Sequence, residues 1–265
     1  MIATIERGEP SPDLPPLLFV HGAMHGAWAW DEHILPYFAE RGWHTVALDL
    51  RGHGGSPSDK PVTWVSIEEY LADIAEVADR LERPPVLVGH SLGGFVVQRY
   101  LESHHSVPAA VLIGSTPPTG AMRLTLRATR RDPLRAARVF TTFKLLPLFG
   151  RPEAASYWFF SDAAPSDEMS GYIDRLQEES FRAVLDTLVR PVRTGRVAAP
   201  LLLVVGSDDR TVPPSDQEIA ARKYGLTPVV IDGLPHDLML VPGWERAASC
   251  ILDWLETVCA GDRRG

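Results

Sequence analysis

The stretch Val88-Gly89-His90-Ser91-Leu92-Gly93-Gly94 sets one hydroxyl between two glycines, where a short apolar run gives way to a helical pattern. Pro85–Val88 reads as an inner strand and Phe95–Leu101 as the helix that follows. Between them the chain must reverse sharply, which forces Ser91 into a strained backbone conformation with its Oγ at the tip of the turn. Gly89 and Gly93 leave room for the reversal, because a Cβ at either position would collide with the neighbouring strand or helix. Gly-x-Ser-x-Gly recurs by chance in many chains. The position between strand and helix is what marks Ser91 as a candidate nucleophile.

A serine hydroxyl is a poor nucleophile at neutral pH and needs a base, an orienting carboxylate and donors for the oxyanion. Of the nine histidines, His236 in Gly233-Leu234-Pro235-His236-Asp237 follows the last apolar run, where a loop can sit above the strand ends beside Ser91. It is the expected general base. His90 is expected to pack or hydrogen-bond locally, His21 and His25 to brace their loop, and His44, His53, His104 and His105 to lie in connections or near a helix end. The carboxylate should come from the loop after the preceding strand, which offers both Asp208 and Asp209. Their side chains must diverge, so one can face the histidine while the other caps the turn or the next helix. For the oxyanion, the amide of Leu92 lies at a helix N-terminus, and the glycines of His21-Gly22-Ala23-Met24-His25-Gly26 permit a tight turn exposing the amide of Ala23.

These residues need a frame, and the apolar runs supply it. Leu17–Val20, Thr45–Leu48, Val86–Val88, Ala110–Ile113, Leu201–Val205 and Pro228–Ile231 alternate with helical patterns, which predicts an α/β fold with a mostly parallel sheet. Ser66 and Glu69 form a capping box, after which Ile67, Leu71, Ile74, Ala78 and Leu81 recur at helical spacing. Further helices are expected at about Asp31–Arg41, Leu92–Ser103, Pro214–Tyr224 and Trp244–Val258. Between Ile113 and Leu201 no strand is convincing, which predicts an inserted helical cap over residues 117–195 on a core of residues 1–116 and 196–265. Within the cap, Phe140, Phe143, Leu145, Leu146, Leu148, Phe149, Tyr157, Trp158, Phe159 and Phe160 are expected to divide between holding its helices together and roofing an apolar pocket. Arg123, Arg127, Arg130, Arg131, Arg135 and Arg138 recur at three- to four-residue spacing, most simply a solvated helical face, with a carboxylate- or phosphate-bearing substrate as the sharper alternative.

With 265 residues and no linker-like stretch, one globular unit is expected. A net charge of -8, without a lysine or arginine cluster suited to nucleic acid or an anionic membrane, points to a small-molecule partner. The start of the chain lacks the pattern of a secretory signal and no apolar segment is long enough to span a bilayer, so a cytoplasmic protein is expected. Cys250 and Cys259 are too far apart along a helix for a disulfide, and neither they nor the histidines show metal-ligand spacing. No metal or cofactor is expected.

Taken together, His21-Gly22, Asp49-Leu50-Arg51-Gly52-His53-Gly54-Gly55-Ser56, Gly89-His90-Ser91-Leu92-Gly93, Asp209-Arg210-Thr211-Val212-Pro213 and His236 resemble the α/β-hydrolase superfamily over essentially the whole chain. The resemblance implies an α/β-hydrolase fold of about six main strands, and its Gly-x-x-Asp-x-x-Val-Pro pattern, counted from Gly206, selects Asp209 over Asp208. The stretches from His21 to Trp30 and from His236 to Leu240 look like the branch of plant methylesterases, hydroxynitrile lyases and related bacterial esterases. In that branch the lyases carry threonine at the position of Gly22 and lysine at that of Asp237, so the resemblance favours hydrolysis. Haloalkane dehalogenases and epoxide hydrolases share the fold but use aspartate where Ser91 stands. The expectation is a serine hydrolase cleaving an ester or thioester through an acyl-enzyme on Ser91. Lactone, amide, carbon-carbon or perhydrolase chemistry, a cofactor-free oxygenase and a ligand-binding receptor are the alternatives.

Overall fold

Short apolar runs bounded by glycine, proline and aspartate become strands, and most are buried on both faces, as parallel strands covered by helices must be. The computed structural model describes residues 1–161 and 167–261. In chain order the elements are β1 (Thr4–Arg7), β2 (Leu17–Val20), α1 (Trp28–Asp31), α2 (Ile34–Ala39), β3 (Thr45–Leu48), α3 (Ile67–Ala78), β4 (Val86–His90), α4 (Ser91–Leu101) and β5 (Ala110–Ile113). There follow α5 (Met122–Arg131), α6 (Pro133–Thr142), α7 (Leu146–Phe149), α8 (Pro152–Phe159), α9 (Asp167–Asp174) and α10 (Phe181–Val189). The chain then returns to the sheet with β6 (Leu201–Gly206), α11 (Pro214–Tyr224), β7 (Val229–Ile231) and α12 (Trp244–Gly261).

The strands form one sheet in the order β1-β3-β2-β4-β5-β6-β7. Every pairing is parallel except that of β1 with β3. Alternating residues serve opposite faces. Leu17, Phe19, Val86, Val88 and Ile113 join Trp30, Phe38, Ile251 and Leu255 of α1, α2 and α12 on one side. Leu18, Val20, Leu87 and Leu112 join Ile74, Val77, Phe95 and Val96 of α3 and α4 on the other. Because six strands run the same way, the loops carrying Ala23, Ser91, Asp209 and His236 all leave from one end of the sheet.

Several elements differ from expectation. The sheet has seven strands: β1 is a half-exposed antiparallel edge whose sequence, Thr-Ile-Glu-Arg, carries no apolar run. β7 is the opposite edge and Val230 is exposed there, so that strand is not buried on both faces. The single helix expected near Asp31–Arg41 is two short ones, broken where His33 takes φ -140° and ψ -43°. Between β5 and β6 the described residues are helical, with no strand, as expected. The arginines of α5 and α6 are only partly a solvated face: Arg123 Nε and Arg127 Nη2 hold the buried Asp216 of α11 at 2.5 and 2.8 Å, and Arg131 lies over the Tyr157 ring. Arg135 pairs with Asp132, while Arg130 and Arg138 are exposed. Among the described residues no helix is long and apolar enough to cross a membrane.

The capping box at α3 is present in full: the Ser66 hydroxyl accepts from the Glu69 amide at 3.3 Å and the Glu69 carboxylate accepts from the Ser66 amide at 2.9 Å. Ser66→Ala is expected to lower stability by about 1 kcal/mol. Urea unfolding should show an earlier midpoint at unchanged slope.

Candidate active site

At the end of β4 the chain turns directly into α4, and Ser91 takes φ +50°. The turn requires the two strand-facing glycines. A Cβ on Gly93 would stand 2.3 Å from the carbonyl oxygen of His21, and one on Gly89 would stand 2.7 Å from Gly94 Cα. With both side chains absent, α4 lies against β2 and its first turn points at the loop that follows β2. Leu92, second residue of α4, carries one of the amides that no intrahelical acceptor reaches.

Three side chains from three loops meet here. Ser91 Oγ donates to His236 Nε2 at 3.0 Å, and His236 Nδ1 donates to Asp209 Oδ2 at 2.7 Å. Asp209 is held in turn by the amides of Thr211 and Val212, both donating to Oδ1 at 2.8 and 2.7 Å, which leaves Oδ2 for the imidazole. All three residues are buried, Ser91 at 8 % exposure and His236 at 1 %. Asp208 is exposed and accepts from Ser207 Oγ. The two adjacent aspartates diverge as expected, and Asp209 is the one that faces the histidine.

The loop after β2 is braced by imidazoles in different protonation states. His21 Nδ1 donates to the Gly22 carbonyl at 2.8 Å and Nε2 accepts from the Leu50 amide at 3.0 Å, a neutral ring. Burial and the neighbouring His53 push its pKa down to about 3. His25 donates twice, from Nδ1 to the Ala23 carbonyl and from Nε2 to Asp237 Oδ2 at 3.0 Å. Burial opposes that charge, but Asp237 outweighs it and raises the His25 pKa; reciprocally, burial opposes ionisation of Asp237 and His25 outweighs it, so the carboxyl titrates below its usual range. His90 donates from Nε2 to the His236 carbonyl at 3.1 Å, and burial together with His236 keeps it well below its usual pKa. It braces the histidine loop, as expected of a local packing role. His90, His236 and Asp237 bring possible metal-ligand atoms within 4.8 Å of one another, but His236 uses both nitrogens on Ser91 and Asp209, and His25 occupies Asp237 Oδ2.

Gly22 sits under His90: a Cβ there would stand 2.6 Å from His90 Nδ1 and 3.0 Å from Ser91 Cβ. A threonine at this position has no room beside His90. The residue after His236 is likewise committed: it is an acid, Asp237, and it is buried against His25.

Ala23, Ser91, Leu92 and His236 line one cavity of about 120 Å³. Its other wall comes from the helices between β5 and β6, including Leu124, Val139, Leu148, Phe149, Phe159, Phe181 and Leu188. Of the ten apolar cap residues singled out in the sequence, Phe140, Leu145, Leu148, Phe149 and Phe159 reach the cavity; the other five pack elsewhere. Among the described residues no lysine, arginine, aspartate or glutamate lines it, so the arginines of α5 and α6 do not offer a substrate carboxylate or phosphate a partner. The hydroxyls of Thr125, Thr129 and Thr211 donate to backbone carbonyls. Sequence reasoning misses Glu179, which is buried behind the β2 loop. Set in Gln177-Glu178-Glu179-Ser180, it looks like solvated loop, and only the fold shows otherwise.

Residues 17–248 match the Alpha/beta hydrolase family, and the chain belongs to that family. A non-heme chloroperoxidase of Streptomyces lividans is 28 % identical over 246 residues, covering 84 % of this chain and 86 % of the relative. A bifunctional esterase/perhydrolase DCH of Acinetobacter calcoaceticus is 36 % identical over 111 residues, 40 % of this chain and 38 % of the relative. Among solved structures, a thermophilic esterase from Thermogutta terrifontis superposes with a TM-score of 0.76 at 22 % identity, over 97 % of this chain and 93 % of that one, which shows the shared fold.

Because the folded state holds the His25 proton more tightly than the unfolded chain, the pair's stabilisation is fully present below pH 6.5 and is lost as pH rises through the raised folded pKa. On the acid side the Asp237 contribution is present above 3.8 and is lost as pH falls through the depressed folded pKa. His25→Gln is therefore expected to reduce the decline of stability above pH 6.5, read as urea midpoints across a pH series. An unchanged decline would contradict the protonated state assigned to His25.

Proposed function

We propose that this protein is a serine hydrolase that cleaves a carboxylic ester or thioester of a small apolar substrate through an acyl-enzyme on Ser91. The observation that carries the reading is the hydrogen-bonded chain from Ser91 Oγ through His236 to Asp209, opening on a cavity that no lysine, arginine or carboxylate side chain lines among the described residues. His236 Nε2 takes the Ser91 proton as Oγ bonds to the substrate carbonyl carbon. Asp209 holds the imidazole in the tautomer with Nε2 free to accept, and offsets the charge of the imidazolium. The amides of Ala23 and Leu92 receive the oxyanion. Collapse of the tetrahedral adduct expels the alcohol or thiol with the proton from His236, and water then repeats the sequence on the acyl-enzyme. Residues 117–195 act as a cap over a core of residues 1–116 and 196–265, and its apolar wall selects for an uncharged acyl or alcohol group by burial.

The names of two relatives favour a second acceptor at the same acyl-enzyme. A chloroperoxidase and an esterase/perhydrolase stand among them, and hydrogen peroxide in place of water would release a peracid: the peroxide oxygen bonds to the acyl carbon, its proton passes to His236 and on to the departing Ser91 Oγ. Peracid formation from an ester and hydrogen peroxide tests this directly.

Ser91→Ala is expected to lower turnover of p-nitrophenyl esters by about 10³-fold or more with the fold intact. Retention of wild-type rates would remove Ser91 from the chemistry. Asp209→Asn should lower kcat by about 10³- to 10⁴-fold, by analogy with loss of the correct tautomer in serine proteases. Asp208→Asn, at an exposed position, should stay within about twofold. An acyl-chain series of esters, thioesters and lactones then ranks the substrates.

A further inference from the structure

Glu179 belongs to the helical segment, between α9 and α10, yet its carboxylate is fully buried behind the loop that follows β2. Oε2 accepts from the Met24 amide at 3.2 Å and lies 3.4 Å from His53 Nε2. Oε1 accepts from Tyr70 Oη at 2.8 Å and from the Ser180 amide at 2.6 Å. Burial opposes ionisation, but His53 and these donors outweigh it and bring the Glu179 pKa down to about 2. An ionised carboxylate here would oppose negative charge on a nearby substrate oxygen, and His53, 3.4 Å away with its pKa raised by Glu179 against burial, offsets it when protonated.

Met24 takes φ +69°, an unusual conformation for a residue with a side chain, so something must hold it there. Two bonds from the helical segment do so: Glu179 receives the Met24 amide, and the Gln177 amide donates to the Met24 carbonyl at 2.9 Å. Upstream, His21 holds the Gly22 carbonyl and His25 holds the Ala23 carbonyl. From the Gly22 carbonyl to the Met24 carbonyl, the backbone polar group that no hydrogen bond among the described residues uses is the Ala23 amide. Ala23 lines the cavity with Ser91. Every other backbone polar group of this stretch is tied back, and the donor left over belongs to a residue that lines the cavity with Ser91.

We infer that Glu179 is a positioning residue for the oxyanion donor at Ala23, so that the helical segment completes the oxyanion hole as well as walling the cavity. The inference rests on the acyl-enzyme reading above. In Glu179→Gln the side chain keeps one acceptor, loses its charge and its match to His53, and places an amide where the second carboxylate oxygen stood. Loss of alignment of one donor by a fraction of its bond length is enough to slow an acyl transfer, because the donor acts on charge that develops only in the transition state.

The test uses the full chain with the best p-nitrophenyl ester and a trifluoromethyl ketone of the same acyl group, whose adduct with Ser91 carries the oxyanion. Glu179→Gln is expected to lower kcat by about 10- to 100-fold, to leave KM nearly unchanged, and to weaken the ketone by the same factor as kcat. Tyr70→Phe removes one donor to the same carboxylate without touching Met24, and should shift kcat and ketone affinity the same way to a smaller extent; it decides the matter if Glu179→Gln does not fold. Unchanged kcat, or a fall in kcat with ketone affinity intact, overturns the positioning role. Ser91→Ala is assayed beside them. If it is inactive while Glu179→Gln is fully active, the positioning role alone falls; if it is active, the acyl-enzyme reading falls and this inference with it.

Discussion

At Ser91 the backbone adopts φ +50°, a conformation that costs a residue with a side chain about 1–3 kcal/mol. It persists because β4 and α4 are both clamped. β4 pairs with β2 on one side and β5 on the other, and the Thr116 amide donates to the Ser91 carbonyl at 3.0 Å. α4 in turn lies so close to β2 that position 93 admits no Cβ. That close approach brings the first turn of α4, with its outward amides, against the loop leaving β2. The strained turn and the proposed oxyanion hole are thus one packing arrangement seen from two sides.

Electrostatics then has to be arranged among buried side chains. Besides His236, four imidazoles lie buried around the loops, and their surroundings shift them in opposite directions. His21 and His90 are neutral, with one nitrogen donating to a carbonyl; His25 and His53 are raised in pKa by the buried carboxylates Asp237 and Glu179. Each buried cation therefore has a buried anion, as burial of charge demands. Beside Ser91, His236 has Asp209 as its own hydrogen-bonded carboxylate, so under the proposed mechanism an imidazolium at His236 has a counter-charge that the other buried pairs do not share.

What the sequence makes legible is whatever local chemistry repeats: the glycine-flanked serine, the capping box at Ser66, the doubly buried strands, and the two loops carrying Asp209 and His236. The family pattern adds the choice between adjacent aspartates, and the geometry at Asp209 agrees with it. What escapes is set by tertiary packing. β1 is too polar to stand out, and becomes a strand only because β3 offers it an edge. Arg123 and Arg127 look solvated until Asp216 of α11 is folded beneath them. Glu179 is the sharpest case: nothing in a run of four polar residues says that one of them is fully buried, since its partners, Met24, His53 and Tyr70, lie more than a hundred residues away along the chain.

The helical segment between β5 and β6 is fastened to the sheet at several places. Arg123 and Arg127 grip Asp216, and Arg127 also donates to the carbonyl of Thr211, whose own amide supports Asp209. Ser180 Oγ donates to the Val65 carbonyl, and the Ile67 amide donates to Asp186 of α10. Gln177 and Glu179 hold Met24 from both sides. These attachments reach the loop of Asp209 and the loop that presents Ala23, so the apolar cavity wall and the supports of the Ser91-His236-Asp209 chain share one scaffold. Changing the apolar lining alone, as at Leu124 or Leu188, leaves those attachments in place. A family in which the lining varies while the anchors stay can change what it binds without dismantling how Ser91, His236 and Asp209 meet. Under the proposed function, specificity would reside in the cavity-facing side of the segment, while the meeting of Ser91, His236 and Asp209 depends on its sheet-facing side.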